Sequence, residues 1–571
     1  MATKRILLDR RSLRHLKLDV LAIIVGVLGG FAAYFLRATI GAAGEIYSTL
    51  TRSILALSDP TATAASALLG GLVVGPIVYI LVTEARGHGV PEVMAALLER
   101  GGRIHWKVAP IKILAASVTI GSGGSAGREG PIAQTGATLG SMVGQLAKLE
   151  PHEQKIIVAA GLAAGVAATF NAPLGGALFA IEVLLRIAGP VDAVPIVLAS
   201  VIGTVVGEEL IGEGITFRVP RLPVWRPEEI PLFILHGIIL GLAASVWVRL
   251  FYTFEEVFEK LPGPKWIRPA IGMGLAGFIA GFFPGLGVSG VGYEGVEKAL
   301  QGQLAVEMLL LLAIAKAVAT GLTVGSGGSG GIFAPSLYIG SMLGYALGLQ
   351  YPLGDPLAFS LAGMAALFAG AAYAPLTMSI MIPEISGSFT LIAPIMASAG
   401  TAYVVSRIVL GGSNIYTIKL ERRGVRVRLL TSLIMDSVRV GDIMSSPVTT
   451  VRADATLREL ERLAAEKPYG GYPVVDDGKL VGIVTRRDLE RAIERFGYEK
   501  AMTMRVRDIM TSPVIVAYPD ETLRQALDKM NRYGVSRLPV VQRGASDRVI
   551  GIVTRRDILE AIEKALEEEE G

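Results

Sequence analysis

The 571-residue chain contains no cysteine, which excludes disulfides and thiolate metal sites. Only five histidines are present. Neither a metal-ligand cluster nor a nucleophile–base pattern can be read from the sequence, so no enzyme is expected. Asparagine occurs three times (Asn171, Asn414, Asn531), a scarcity that leans towards a heat-adapted source. Charged residues make up 18% of the chain, where soluble proteins carry about 25%.

What fills the space is apolar: 51% of residues are hydrophobic. The excess is concentrated between Leu21 and Leu410, and beyond Glu421 the composition becomes charged and ordinary. That break predicts a membrane domain followed by a soluble one. Stretches such as Val20–Leu36, Ala67–Val82, Pro231–Leu250, Met273–Phe283 and Met308–Leu322 are suited to spanning or entering a bilayer. They recur far into the chain, which is not the pattern of a signal peptide. The net charge of +4 gives no sign of a nucleic-acid partner. Basic residues instead flank the apolar part: Lys4, Arg5, Arg10, Arg11, Arg14 and Lys17 before it, and Lys419, Arg422, Arg423, Arg426 and Arg428 after it. By the positive-inside rule both termini are expected in the cytoplasm, with an even number of complete crossings between them.

The apolar part is internally repeated. Thr119–Gly140 reads TIGSGGSAGREGPIAQTGATLG and Thr323–Gly344 reads TVGSGGSGGIFAPSLYIGSMLG, matched at an offset of 204. A second pair follows at an offset of 202: AGLAAG and NAPLGGALFAIE within Ala160–Glu182, then AGMAAL and YAPLTMSIMIPE within Ala362–Glu384. Two matched blocks in one order are a duplicated half, and Gly- and Pro-broken halves mark many transporters. A helix broken inside a membrane leaves backbone N–H groups that are tolerated only when buried in protein or lining an ion path. At a half-helix N-terminus those groups and the helix dipole suit an anion. Tight helix packing is the alternative role for the glycines.

Glu129 lies in GREGP, at the mouth of an apolar segment. A carboxylate at mid-membrane costs roughly 2.5–3.5 kcal/mol even on the lenient scale, so it must be paired, hydrated or protonated. Beside an anion site it competes for the same N–H donors, and protonating it or swinging it away opens the path. A salt bridge to Arg128 is the other reading.

GHGVP (Gly87–Pro91), GREGP (Gly127–Pro131), GGIFAP (Gly330–Pro335) and Tyr416 in NIYTIKL follow one another along the chain. Together they resemble the signature set of the CLC chloride channels and proton-coupled exchangers, over about residues 18–425. The resemblance implies an all-α polytopic membrane domain of two inverted repeats, homodimeric, with one anion pathway in each subunit. It implies that Glu129 gates and that Gly89, Ile332, Phe333 and Tyr416 help bind chloride or a similar anion such as fluoride or nitrate. Two positions depart from the family. His88 stands in place of an anion-coordinating serine, so either an imidazole N–H donates instead or the ring turns aside. Val183 aligns with the internal proton-site glutamate of many exchangers, which leans to weak or no proton coupling. Some exchangers lack that acid, so channel and H+/Cl− exchanger both stay open. Glu182 and Glu384 read as structural.

The soluble tail holds another repeat, DIMSSPV and DIMTSPV (from Asp442 and Asp508), each followed by GIVTRRD (from Gly482 and Gly551). Each unit reads as mixed α/β, and two together bury a core that neither supplies alone. They resemble a pair of CBS domains, which often bind an adenine nucleotide (ATP, ADP or AMP) in a cleft between the two. That resemblance implies ribose binding by Asp557, ahead of Asp488. Thr485 and Thr554 lie nearby, with Thr450, Tyr469 and Pro473 at base or sugar. The expected organisation is a basic cytoplasmic segment 1–19, membrane domain 20–425, linker 426–440, and CBS units 441–498 and 507–567, in a prokaryotic plasma membrane. No transport cofactor is expected. A CBS-bearing cation transporter is the remote rival, since it needs clustered membrane acids that this sequence does not provide.

Overall fold

A computed structural model describes residues 10–54, 58–185, 190–212, 214, 216–351, 354–424, 434–543 and 545–570. Lys4, Arg5, Arg426 and Arg428 lie outside the described residues. Two compact units separate between Arg423 and Gly424.

The first unit is helical. Its first half comprises α1 (Arg10–Ser48), α2 (Thr61–Pro76), α3 (Val90–Glu99), α4 (Val108–Gly121), α5 (Glu129–Leu146), α6 (Pro151–Phe170), α7 (Pro173–Phe179) and α8 (Pro190–Ile211). The second comprises α9 (Ile230–Lys260), α10 (Arg268–Gly281), α11 (Tyr293–Leu300), α12 (Val306–Gly325), α13 (Phe333–Gly348), α14 (Pro356–Ala372), α15 (Pro375–Ser386) and α16 (Ile392–Val409), with α17 (Thr417–Arg422) beyond it. Packing repeats with the sequence: α5 on α6 matches α13 on α14, and α1 on α8 matches α9 on α16. The two halves meet through α2 on α10 and α7 on α15. Seven described helices are long and apolar enough to cross a membrane. Others are too short, α10 among them: 14 residues rise about 21 Å against a core of about 30 Å. Such helices enter without crossing alone. The basic segment expected over 1–19 is already helical from Arg10, and Lys17 donates to the Ala147 carbonyl at 3.0 Å.

Glycine sets the helix spacing. A Cβ on Gly136 would overlap the carbonyl of Gly161 and the reverse also holds, as it does for Gly340 and Gly363. Here close packing of small residues brings backbones together. Between α6 and α7 the chain turns at Asn171 (φ 55°), and between α14 and α15 at its mate Tyr373 (φ 58°). The glutamates then cross over. Glu182 accepts from the N–H groups of Leu376 and Thr377 (3.0 and 2.7 Å) and from Thr377 Oγ1 (2.6 Å), at the start of α15. Glu384 accepts from Leu174 and Gly175 (3.0 and 2.7 Å), at the start of α7. Each half supplies a carboxylate for a helix N-terminus of the other, where negative charge is favoured.

The second unit has β1 (Val451–Arg452), β2 (Gly471–Asp476) and β3 (Lys479–Thr485) in the order β1-β2-β3, and a β4 (Arg537–Gln542)–β5 (Ala545–Thr554) antiparallel pair. Its repeats complete one another. Ser445 pairs with Ile552 of β5, while Thr511 pairs with Ile483 of β3. Val506 is buried in the core around Leu457 and Val474, and Val440 in the core around Leu523 and Val540. The linker expected over 426–440 therefore ends sooner, because Ile434, Met435 and Val438 already pack on the second core.

Gly161→Leu and Gly363→Leu are each expected to lower the melting temperature of detergent-solubilised protein, overpacking costing about 1–3 kcal/mol. Gly400→Ala, inside α16 and meeting nothing within 4 Å, is expected not to lower it. Thermal-denaturation size-exclusion profiles check both.

Candidate anion site

The glycine loops that end α4 and α12 fold back on each other. Gly127 N–H donates to Gly331 O at 2.7 Å, and Gly331 N–H returns to Gly127 O at 2.6 Å. From this exchange α5 and α13 start, so their N-termini converge. A buried cavity of about 10 Å3 lies there, lined by His88, Val90, Glu129, Ile332, Phe333 and Tyr416 among others. That is room for about one water-sized occupant.

Each lining group is held from outside. Tyr416 precedes α17, and Asn414 Oδ1 accepts both the Tyr416 and the Thr417 N–H at 2.9 Å. The Tyr416 ring is buried, 5.6 Å from that of His88, and its hydroxyl has no protein partner among the described residues. Both His88 ring nitrogens are buried and unpartnered, so the imidazole fills the wall with its hydrogen-bonding capacity unspent. Gly89 does not line the cavity. At φ +88° it starts α3, packed so closely on Gly130 and Gln134 that a side chain would collide.

Glu129 is the first residue of α5 and is 2% exposed. Oε1 accepts from the Tyr293 hydroxyl at 2.9 Å, while Oε2 is buried without a partner. No ion pair to Arg128 forms among the described residues; its guanidinium instead lies 5.2 Å from the Tyr293 ring centre. Val183 is buried beside Glu182, whose oxygens are already engaged as the cap of α15. The described residues contain no group of three or more potential metal ligands.

Three further supporting residues escaped the sequence reading. Lys112 Nζ is fully buried and donates to the carbonyls of Ala85 and Gly87 (3.0 and 2.6 Å), just before His88. Lys316 Nζ, also fully buried, donates to Gly287, Val288 and Gly290 (2.9, 3.3 and 2.9 Å), just before Tyr293. The two lysines obey the offset of 204, so the repeat, followed upstream from GSGGS, would have found them. Glu92 of α3 is paired with Arg423 (2.9 and 2.7 Å) and Lys419 (3.3 Å), a link between distant motifs that no local pattern signals.

In the second unit Asp488 Oδ2 accepts from Thr485 N–H and Oγ1 (2.9 and 2.6 Å), and Asp557 Oδ2 from Thr554 N–H (2.8 Å). T-x-x-D is thus a helix cap in both repeats. Thr450 precedes β1, Tyr469 is exposed and Pro473 lies in β2 opposite Ile483. The Arg537 guanidinium lies against Gly470 and Gly471. Burial pushes its pKa below the ordinary value, with Asp488 acting the other way.

A helical membrane unit with converging half-helix N-termini around a small cavity is an anion-transport architecture. Residues 70–407 match the family model described as voltage gated chloride channel, and residues 440–495 and 506–564 match that of the CBS domain. The chain belongs to the CLC family of anion transport proteins, with an attached CBS pair, and is an integral membrane protein. It is 34% identical over 360 residues to the H(+)/Cl(-) exchange transporter ClcA of Yersinia pestis, covering 60% of this chain and 75% of that one. It is 30% identical over 507 residues to the chloride channel protein CLC-f of Arabidopsis thaliana, covering 76% and 65%. Among solved structures, a slow cyanobacterial Cl−/H+ antiporter matches at a TM-score of 0.66 with 27% identity, over 71% of this chain and 97% of the other. A eukaryotic CLC transporter, at 20% identity and a TM-score of 0.58, shares the fold over 95% of this chain and 98% of its own.

Lys112→Met and Lys316→Met each leave buried carbonyls without their donor, at about 1–3 kcal/mol per group. Both are expected to lower the melting temperature in detergent, and both Lys→Arg variants to lower it less; scanning fluorimetry checks this.

Proposed function

We propose that this protein conducts chloride, or an anion of similar size, through one pathway per subunit of a homodimer, and that Glu129 is the gate. The observation that carries the reading is the position of the Glu129 carboxylate, in the cavity between the N-termini of α5 and α13. The dipoles of both helices favour negative charge there. A carboxylate and an anion compete for such a place, so the anion passes when the carboxylate is neutralised or withdrawn. Tyr416, His88 and the backbone about Ile332 and Phe333 are the proposed anion ligands.

Proton coupling is proposed to be weak or absent. Val183 carries no acid, and Glu182 beside it is occupied as a helix cap. The relatives named H(+)/Cl(-) exchangers favour the second reading, coupled exchange. The two are separated by chloride efflux from liposomes holding the purified protein, with external pH recorded. Efflux without proton movement, altered by Glu129→Gln, is the expected result. Protons driven uphill by a chloride gradient establish exchange, and absence of anion flux overturns the proposal.

Both termini are proposed to be cytoplasmic, in a prokaryotic plasma membrane, following the basic flanks. The CBS pair is proposed to bind an adenine nucleotide through Asp557, with Asp488 secondary. Asp557 Oδ2 serves the helix cap and Oδ1 takes no hydrogen bond from the described residues, leaving it for a ribose hydroxyl. Asp557→Ala is expected to weaken ATP, ADP or AMP binding to the full chain by about tenfold. Asp488→Ala is expected to weaken it less; titration calorimetry reads both.

A further inference from the structure

We infer that Tyr293 is the positioning residue that latches Glu129 inside the anion cavity. The inference rests on the reading of Glu129 as the gate.

Tyr293 is built to be rigid. It is the first residue of α11, after Gly292 at φ +105°. The preceding loop is pinned twice, by Lys316 on three of its carbonyls and by the Ser125–Gly290 bridge. The ring is clasped by Phe217 edge-on at 4.9 Å and by the Arg128 guanidinium at 5.2 Å. Its hydroxyl donates to Glu129 Oε1 at 2.9 Å, the one side-chain hydrogen bond that the carboxylate receives among the described residues. On its other side Tyr293 borders a cavity of about 520 Å3 that also meets Arg128, Arg218, Glu294 and Glu297. A carboxylate leaving the small cavity has to break the Tyr293 bond.

The repeat gives this residue its meaning. The bridge between Gly87 and Ser329 in one half is mirrored by that between Gly290 and Ser125 in the other. The loop that Lys112 anchors brings His88 and Val90 to the cavity. The loop that Lys316 anchors brings Tyr293 to Glu129. One scaffold, used twice in opposite orientation, serves the anion in one half and the competing carboxylate in the other.

A hydrogen bond to a charged group is worth about tenfold or more in an equilibrium. Tyr293→Phe removes the hydroxyl and keeps the ring between Phe217 and Arg128. In the full-length protein in detergent, this variant is expected to bind chloride about tenfold tighter by calorimetry, because the competing carboxylate is released. In liposomes it is expected to raise chloride flux. In a Glu129→Ala background, which lacks the acceptor, the same substitution is expected to change neither, while a merely structural tyrosine changes both backgrounds alike. Unchanged affinity in Tyr293→Phe, or an equal change in the two backgrounds, overturns the latch. If Glu129→Ala differs from the native chain in those cases, the gate reading survives the loss of the latch. If Glu129→Ala itself matches the native chain in affinity and flux, the gate reading and the latch fall together.

Discussion

The pair of hydrogen bonds exchanged between Gly127 and Gly331 is the constraint on which the membrane unit depends. Each half breaks its helix at this depth and exposes N–H groups that no lipid can satisfy. Joined to each other, the broken ends satisfy part of that demand and aim the starts of α5 and α13 at one place. The approach is so close that a Cβ on Gly331 would stand 2.7 Å from Gly130 N. Any larger residue would separate the helix starts, and with them the cavity.

Around this point the scaffold is symmetric and the chemistry is not. Lys112 and Lys316 anchor matching loops, and Glu182 and Glu384 cap matching helices across the middle. At the offset of 204, however, Glu129 has Phe333 as its mate and Arg128 has Ile332. Duplication therefore supplies the architecture, and function enters where the copies differ. One helix start carries an ionisable group, and the other an apolar ring packed on Phe170 and Phe368.

The soluble unit applies the same economy. Its strands are too few in either repeat to close a core, and each DIM segment crosses to the other repeat. Met444 lies over Gly551 and Met510 over Gly482, a contact for which only glycine leaves room. In both repeats the T-x-x-D aspartate caps its helix through one carboxylate oxygen.

Periodicity and repetition were legible in the chain itself: the apolar composition, the paired GSGGS blocks, the doubled DIM and GIVTRRD segments, and Glu129 as an acid in an apolar setting. These are local properties, carried by neighbours in sequence. Hydrophobic length says only that a segment suits spanning or entering a bilayer, and the 14 residues of α10 decide for entering. The partner of Glu129 was hidden, because Tyr293 lies 164 residues away and only the folded loop brings its hydroxyl within 2.9 Å. The same holds for Glu92 and Arg423, separated by 331 residues, and for Ile434, Met435, Val438 and Val440, which read as linker yet belong to a core. Sequence by itself determined which backbone groups had to be broken, duplicated and buried. Tertiary structure alone decided which side chain answers each of them, because hydrogen bonds and ion pairs act over a few ångströms of space whatever their separation along the chain.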